Sequence, residues 1–240
     1  MQRVIILGGS FNPVHIGHMR LAIEAKEALQ ANRVDFVPCF NPPHKTSKDL
    51  LPFEFRTEAL RQAIAELENL NSTTNCTNLK VNEFEAGFDL PSYTIYTLEH
   101  YRETEPESEL WFVLGLSDYI QLPSWFRWQE LPKLANLAVV PRHGHEQHNF
   151  CQITLTHWPQ CQKTSSQLEN QNLPAFCACS EFAEEKQGKI QFLPLPRIDI
   201  SSSLIRKKWL KKENLSYLVP LNVQNLLQKH ETMLNMYWHC

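Results

Sequence analysis

Near the start of the chain four apolar residues stand in a row, Val4-Ile5-Ile6-Leu7. A run too dense for alternation predicts a strand buried on both faces. After a polar, glycine-bearing stretch, Leu21-Ala22-Ile23-Glu24-Ala25-Lys26-Glu27-Ala28-Leu29 carries apolar residues at helical spacing and predicts an amphipathic helix. The same alternation then repeats. Residues 34–38 read as a second strand and 53–70 as a long helix, with Phe55, Ala59, Leu60, Ala63, Ile64 and Leu67 on its apolar face and Arg56 out of keeping with it. Residues 79–81 read as a third strand, and a helix capped by Ser92 runs to about Tyr101. Leu110-Trp111-Phe112-Val113-Leu114 is the clearest buried strand; residues 137–141 and 190–193 add a fifth and a sixth. Helices follow the Ser201-Ser202-Ser203 run and the Val219-Pro220-Leu221 segment. Strands alternating with helices predict an α/β fold, a doubly wound, mostly parallel sheet of Rossmann-like topology.

Residues 143–189 break this pattern. They are rich in Gln, Ser and Asn, and read as a variable insertion on the surface of one domain spanning 1–240. They also hold His143, His145, His148, His157, Cys151, Cys161, Cys177 and Cys179. None of the spacings matches a standard zinc module, so no metal is expected there, with a structural metal as the alternative.

Composition narrows the classes. A chain of 240 residues buries roughly 70% of its unfolded surface without staples. The formal charge of −3 argues against broad nucleic-acid binding and leaves any basic site local. No apolar run reaches spanning length, and Met1-Gln2-Arg3-Val4 does not read as a signal peptide, so no membrane is expected. The seven cysteines are odd in number and predict a reduced, cytoplasmic protein. A homo-oligomer stays open.

The candidate chemistry lies at the exits of the strands, where open α/β sheets bind ligands. Gly8 and Gly9 allow close approach to an anion, and the following helix points its N–H groups and dipole there. His15 and His18, three apart at that helix entry, can face one side; the plainer reading is two polar surface histidines. Lys45 ends a proline-stiffened loop after the second strand. Ser201, Ser202 and Ser203 cap a helix whose first turn can also bind an anion, with Arg206 one turn in. Gly115-Leu116-Ser117-Asp118 is a further ligand-side turn, and Arg142 follows the fifth strand. Trp128, in a Trp-x-x-Trp pair, reads as core.

The run Gly8-Gly9-Ser10-Phe11-Asn12-Pro13-Val14-His15-Ile16-Gly17-His18 resembles the signature of the His-x-Gly-His nucleotidyltransferases. Pro42-Pro43-His44-Lys45, Ser92-Tyr93-Thr94 and Ile200-Ser201-Ser202-Ser203-Leu204-Ile205-Arg206 follow in the order of the nicotinate-nucleotide adenylyltransferase family. Serine stands at 203 where that family has threonine, and the aspartate usual at position 117 is displaced to Asp118. The resemblance implies adenylyl transfer from ATP to nicotinate mononucleotide, giving deamido-NAD and pyrophosphate, with Mg2+ on the phosphates. It implies phosphate contacts from His15, His18, Lys45, Arg206, Gly8, Gly9, Ser10, Phe11 and Ser201 to Ser203. Thr94, Asp118, Trp125 and Arg142 would serve the pyridine mononucleotide. An adenylyltransferase with another acceptor, nicotinamide mononucleotide or phosphopantetheine, and a non-catalytic nucleotide sensor are the alternatives.

Overall fold

The computed structural model describes residues 1–43, 50–70, 78–87, 90–141, 146–168, 171–177, 188–196 and 198–238. Their strands are β1 (Arg3–Gly9), β2 (Arg33–Pro38), β3 (Leu79–Val81), β4 (Glu109–Gly115), β5 (Asn136–Val140), β6 (Gln162–Leu168), β7 (Gln171–Cys177) and β8 (Lys189–Phe192). The helices are α1 (Ile16–Ala28), α2 (Phe53–Leu70), α3 (Thr94–Thr104), α4 (Leu116–Ile120), α5 (Leu131–Leu134), α6 (Glu146–His157), α7 (Ser202–Leu210), α8 (Leu221–Lys229) and α9 (Glu231–Tyr237). This is the α/β, mostly parallel, Rossmann-like arrangement that the apolar pattern predicts.

Two compact units interleave along the sequence, one of residues 1–7, 24–32 and 93–197, the other of 8–23, 33–92 and 198–240. In the first, β1 pairs parallel with β4, β4 with β5, and β5 with β8, so that Ile5 faces Trp111 and Ala138 faces Gln191. Val4, Ile5, Ile6, Leu137, Ala138 and Val139 are all buried, as unbroken apolar runs in a parallel sheet require. In the second unit β2 and β3 pair in parallel, and the Cys39 N–H donates to the Gly9 carbonyl at 2.9 Å, fixing the exit of β1 beside that of β2. Helix α2 buries Phe53, Phe55, Ala59, Leu60, Ala63 and Ile64, and with them Arg56. From its far end Glu66 accepts the backbone N–H groups of Leu221 and Asn222, at 3.0 and 2.6 Å, and so caps α8.

Three sequence expectations change. Ser92 does not cap α3: the helix begins at Thr94 after Tyr93, with no side-chain cap. The Ser92 hydroxyl instead accepts the Asn41 N–H at 2.9 Å, while the Ser92 N–H donates to the Asn41 carbonyl at 2.8 Å. Serine's affinity for a nearby backbone donor is satisfied by a long-range turn rather than by the helix. The strands number eight among the described residues, because β6 and β7 lie inside the segment read as an insertion.

That segment is also not confined to the surface. Phe150 and Thr154 of α6 are fully buried, and Trp158, one turn on, nearly so. Thr154 donates to the Phe150 carbonyl, which leaves its oxygen to accept the Tyr119 hydroxyl at 2.8 Å. Burial pushes the Tyr119 phenol far above the usual tyrosine range, so it keeps its proton and is the donor of this pair. Phe150 packs against Phe176 of β7 and Phe192 of β8, and β7 pairs antiparallel with β8. Helix α6 is the crossover that a parallel β5–β8 pair needs. Ahead of β8 stands Gly188, whose N–H donates to the Pro132 carbonyl at 2.7 Å. A Cβ there would lie 2.6 Å from the Ala135 carbonyl oxygen and closer still to that of Pro132, so only glycine fits.

Candidate active site

The second unit assembles the glycine turn, both histidines and the start of α7. Beyond Gly9 the chain turns sharply, and Phe11 takes the left-handed conformation (φ 43°) that a bulky side chain rarely adopts. Its ring lies across Gly9: a Cβ there would sit 3.2 Å from Phe11 Cζ. The ring also meets Phe36 and His18 edge-on, with centroids 5.6 and 5.0 Å away. A side chain at position 9 would therefore push the Phe11 ring aside, which the second glycine avoids.

His15 and His18 flank the entry to α1. Their rings stack at 3.7 Å, tilted by 23°. The His15 carbonyl accepts the N–H groups of His18 and Met19, while the His15 N–H donates to His18 Nδ1 at 3.2 Å. The third helical residue thus reaches back to the capping residue, a capping box with imidazole in place of carboxylate. An Nδ1 that accepts is unprotonated, so the hydrogen of a neutral His18 is on Nε2, which becomes a fixed donor. Gly17 sits tightly in the same packing: a Cβ there would stand 3.0 Å from His15 Nδ1 and 3.1 Å from its Cε1, so the stacked ring would have to give way slightly.

Helix α7 is fastened to this turn. Ser201 caps it by accepting the Leu204 N–H at 3.2 Å. The Ser202 hydroxyl donates to the Pro13 carbonyl at 2.9 Å, and Arg206 Nη1 donates to the Asn12 carbonyl at 2.9 Å. Arg206 Nη2 also donates to the Ser203 hydroxyl at 3.2 Å. Asn12, which the motif reading passed over, is buried and its side-chain oxygen accepts the Leu51 N–H at 3.1 Å. Its position inside the Gly-Gly-Ser-Phe-Asn-Pro run was the available signal. Two helix N-termini, the His18 ring and a guanidinium thus converge through direct contacts on the Phe11–Pro13 stretch that follows the glycines, an arrangement suited to holding several phosphates.

The remaining candidates lie elsewhere or outside the described residues. Lys45 and Arg142 are outside them. Thr94, Asp118 and Trp125 belong to the first unit. Thr94 opens α3, and Asp118 is exposed in the first turn of α4. Trp125 is half-buried and meets Phe112 edge-on at 6.3 Å. Beside it Tyr93 and Phe126 stack at 4.8 Å. Arg127 holds this stretch by a two-pronged bond to Glu130 (2.8 and 2.7 Å) and a third contact to Glu99. Its guanidinium is raised and the Glu130 carboxyl lowered by that mutual hydrogen bonding. Trp128, read from the sequence as core, packs on Trp158 and His157 but is only half-buried. Among the described residues no group of three or more His, Cys, Asp or Glu is placed to hold a metal ion, and no helix is long and apolar enough to cross a membrane.

The cytidylyltransferase-like family pattern matches residues 6–208. A Marinomonas protein named "Probable nicotinate-nucleotide adenylyltransferase" is 33% identical over 227 residues, covering 94% of this chain and 92% of its own. A Clostridium novyi protein of the same name is 31% identical, covering 99% of this chain and 100% of its own. In fold, the chain is similar to a solved Plasmodium falciparum nicotinic acid mononucleotide adenylyltransferase complexed with NaAD, with a TM-score of 0.68 and 17% identity, across 98% of this chain and 100% of that one. The glycine turn, the stacked histidines and the strapped α7 therefore sit in a chain that belongs to the cytidylyltransferase-like family and, within it, to the nicotinate-nucleotide adenylyltransferases.

Proposed function

We propose that this enzyme transfers the adenylyl group of ATP to nicotinate mononucleotide, forming deamido-NAD and pyrophosphate in NAD biosynthesis, in the cytoplasm. The observation that carries the reading is the convergence of His18, Arg206 and two helix N-termini on the Phe11–Pro13 stretch that follows the glycines, in a chain 33% identical to a named family member. The mononucleotide phosphate oxygen attacks the α-phosphorus in line; the bond to the bridging oxygen breaks and pyrophosphate leaves. Such chemistry rests on positioning and charge stabilisation rather than covalent catalysis. His18 donates through Nε2 to the transferring phosphoryl group, with His15 stacked behind it. The turn from Gly8 to Phe11, Ser10, and the first turn of α7 with Ser201 to Ser203 cradle the phosphates. Arg206 and Lys45 hold the pyrophosphate. Mg2+ arrives as part of the MgATP substrate, held mainly by phosphate oxygens, and offsets their charge. Thr94, Asp118, Trp125 and Arg142 serve the mononucleotide.

The assignment is tested by pyrophosphate release with ATP, Mg2+ and each acceptor in parallel. Nicotinate mononucleotide is expected to react much faster than its amide. Turnover with phosphopantetheine alone overturns the acceptor, and no turnover with any acceptor leaves a nucleotide sensor.

Trp125 supplies a stacking face for the pyridine ring. Stacking on an aromatic side chain is worth about 1–3 kcal/mol, so Trp125→Ala is expected to raise KM for the mononucleotide about 5- to 150-fold, with little change for ATP. Asp118→Ala is expected to be milder, because Asp118 is one place beyond the family position. Steady-state kinetics in both substrates separates the two. Abolished catalysis in Asp118→Ala would make the shifted carboxylate the functional one.

A further inference from the structure

Arg56 is an anomaly on the apolar face of α2. It is only 1% exposed, yet it carries a cation. Burial pulls the guanidinium below the ordinary arginine value, opposed by Cys39, Glu54 and Glu85. A buried charge is costly unless its donors are satisfied, and here each arm has a carbonyl. Nε donates to Leu51 at 2.9 Å, Nη1 to Ser10 at 2.8 Å and Nη2 to Cys39 at 2.8 Å. The three carbonyls come from separate stretches of backbone: the glycine turn after β1, the exit of β2, and the approach to α2. The Phe53 ring covers the guanidinium, 5.4 Å from ring centroid to Cζ.

The consequence lies in the other half of each peptide. In a trans peptide the N–H points opposite to the carbonyl. Drawing the Ser10 oxygen inward onto Arg56 turns the Phe11 N–H outward from the same turn. The Cys39–Phe40 peptide follows this rule visibly, since its carbonyl goes to Arg56 and its Phe40 N–H to Glu85 Oε2 at 3.1 Å. Leu51 is likewise held at both ends, by Arg56 at its carbonyl and by Asn12 at its N–H. We propose that Arg56 is a positioning residue for phosphate binding, which orients the Ser10–Phe11 peptide so that the Phe11 N–H is presented to an ATP phosphate. This rests on the reading of the glycine turn as the phosphate site. The left-handed Phe11 backbone follows directly on that peptide. Lysine cannot replace the group, because its single ammonium has no planar fork to reach three carbonyls in three directions.

The test measures ATP binding calorimetrically in the absence of acceptor, so it keeps its meaning if the transfer assay fails; that failure would fall on the assigned reaction alone. Arg56→Lys is expected to weaken ATP binding about tenfold. Glu66→Gln, which removes charge from the α8 cap, is the control for destabilisation: it should lower Tm while leaving the ATP Kd within twofold. A change under threefold in folded Arg56→Lys overturns the proposal. The wild-type protein gives the second reading, which also decides the matter if Arg56→Lys does not fold. With ¹⁵N label, the Phe11 amide resonance should shift on saturation with ATP, and with inorganic pyrophosphate. A Phe11 amide that neither ligand moves overturns the proposal.

Discussion

Replacing His18 by alanine is expected to lower kcat by about 10²–10³, the scale for losing one preorganised donor aimed at developing charge. The expectation rests on the capping box: with Nδ1 accepting the His15 N–H, Nε2 is left as the donor. Because the same ring also caps α1, alanine should cost stability too, on the order of 1 kcal/mol by comparison with other capping residues. Two further substitutions separate the roles. Asparagine can keep an acceptor near Nδ1 but does not reach the Nε2 position, so His18→Asn should retain Tm and lose turnover. Glutamine reaches the Nε2 position with a donor but surrenders the cap, so His18→Gln should lower Tm and retain more of kcat. Thermal melts and single-turnover rates on the three variants read this out. A fully active His18→Ala enzyme removes His18 from the mechanism.

Replacing Glu146 to Gly188 with a short Gly/Ser linker is expected to abolish folding. The composition of the segment suggests that it could be removed, since every candidate site residue lies outside it. The packing says otherwise. The excision removes Phe150 and Phe176, both fully buried, together with Thr154 and the nearly buried Trp158. Truncating one such aromatic costs about 3–5 kcal/mol, and a whole domain is stable by only about 5–15 kcal/mol. It also strips the partner from the Tyr119 hydroxyl, leaving a buried donor unsatisfied in the helix that follows β4. Soluble yield, circular dichroism and turnover of the excised protein give the answer. A soluble variant with wild-type kcat would show that α6 and β7 are dispensable.

What could be read in the sequence was whatever a short, local rule dictates. Val4 to Leu7 is a strand because four apolar residues need two buried faces, and α2 runs over Phe53–Leu70 as its periodicity predicts. His15 and His18 fall at a helix entry because three residues separate them, and Ser201 caps α7 as a serine before an apolar run should. The contrary cases each depend on a partner distant in sequence. Ser92 looks like a cap until Asn41, 51 residues away, takes its hydroxyl. Arg56 reads as an irregular member of an apolar face, because its carbonyl partners come from the ends of other elements. Helix α6 was hidden by its glutamines, its asparagine and its histidines; the signal was there in Phe150, Thr154 and Trp158, spaced four apart on one face. The roles given to Thr94, Asp118 and Trp125 come from motif order alone, and those of Lys45 and Arg142 fall outside the described residues.

Gly188 sets a rule for redesigning this enzyme. A loop can ordinarily be lengthened cheaply, since each doubling adds only about 0.6 kcal/mol of closure entropy. Here the traffic is one-sided. Any change of length ahead of position 188 must return the polypeptide to the gap beside Pro132 and Ala135 with nothing larger than a hydrogen on its α-carbon. A graft that carries an affinity tag or a foreign binding loop therefore belongs upstream of this eyelet, with the glycine kept as the fixed point from which β8 is counted.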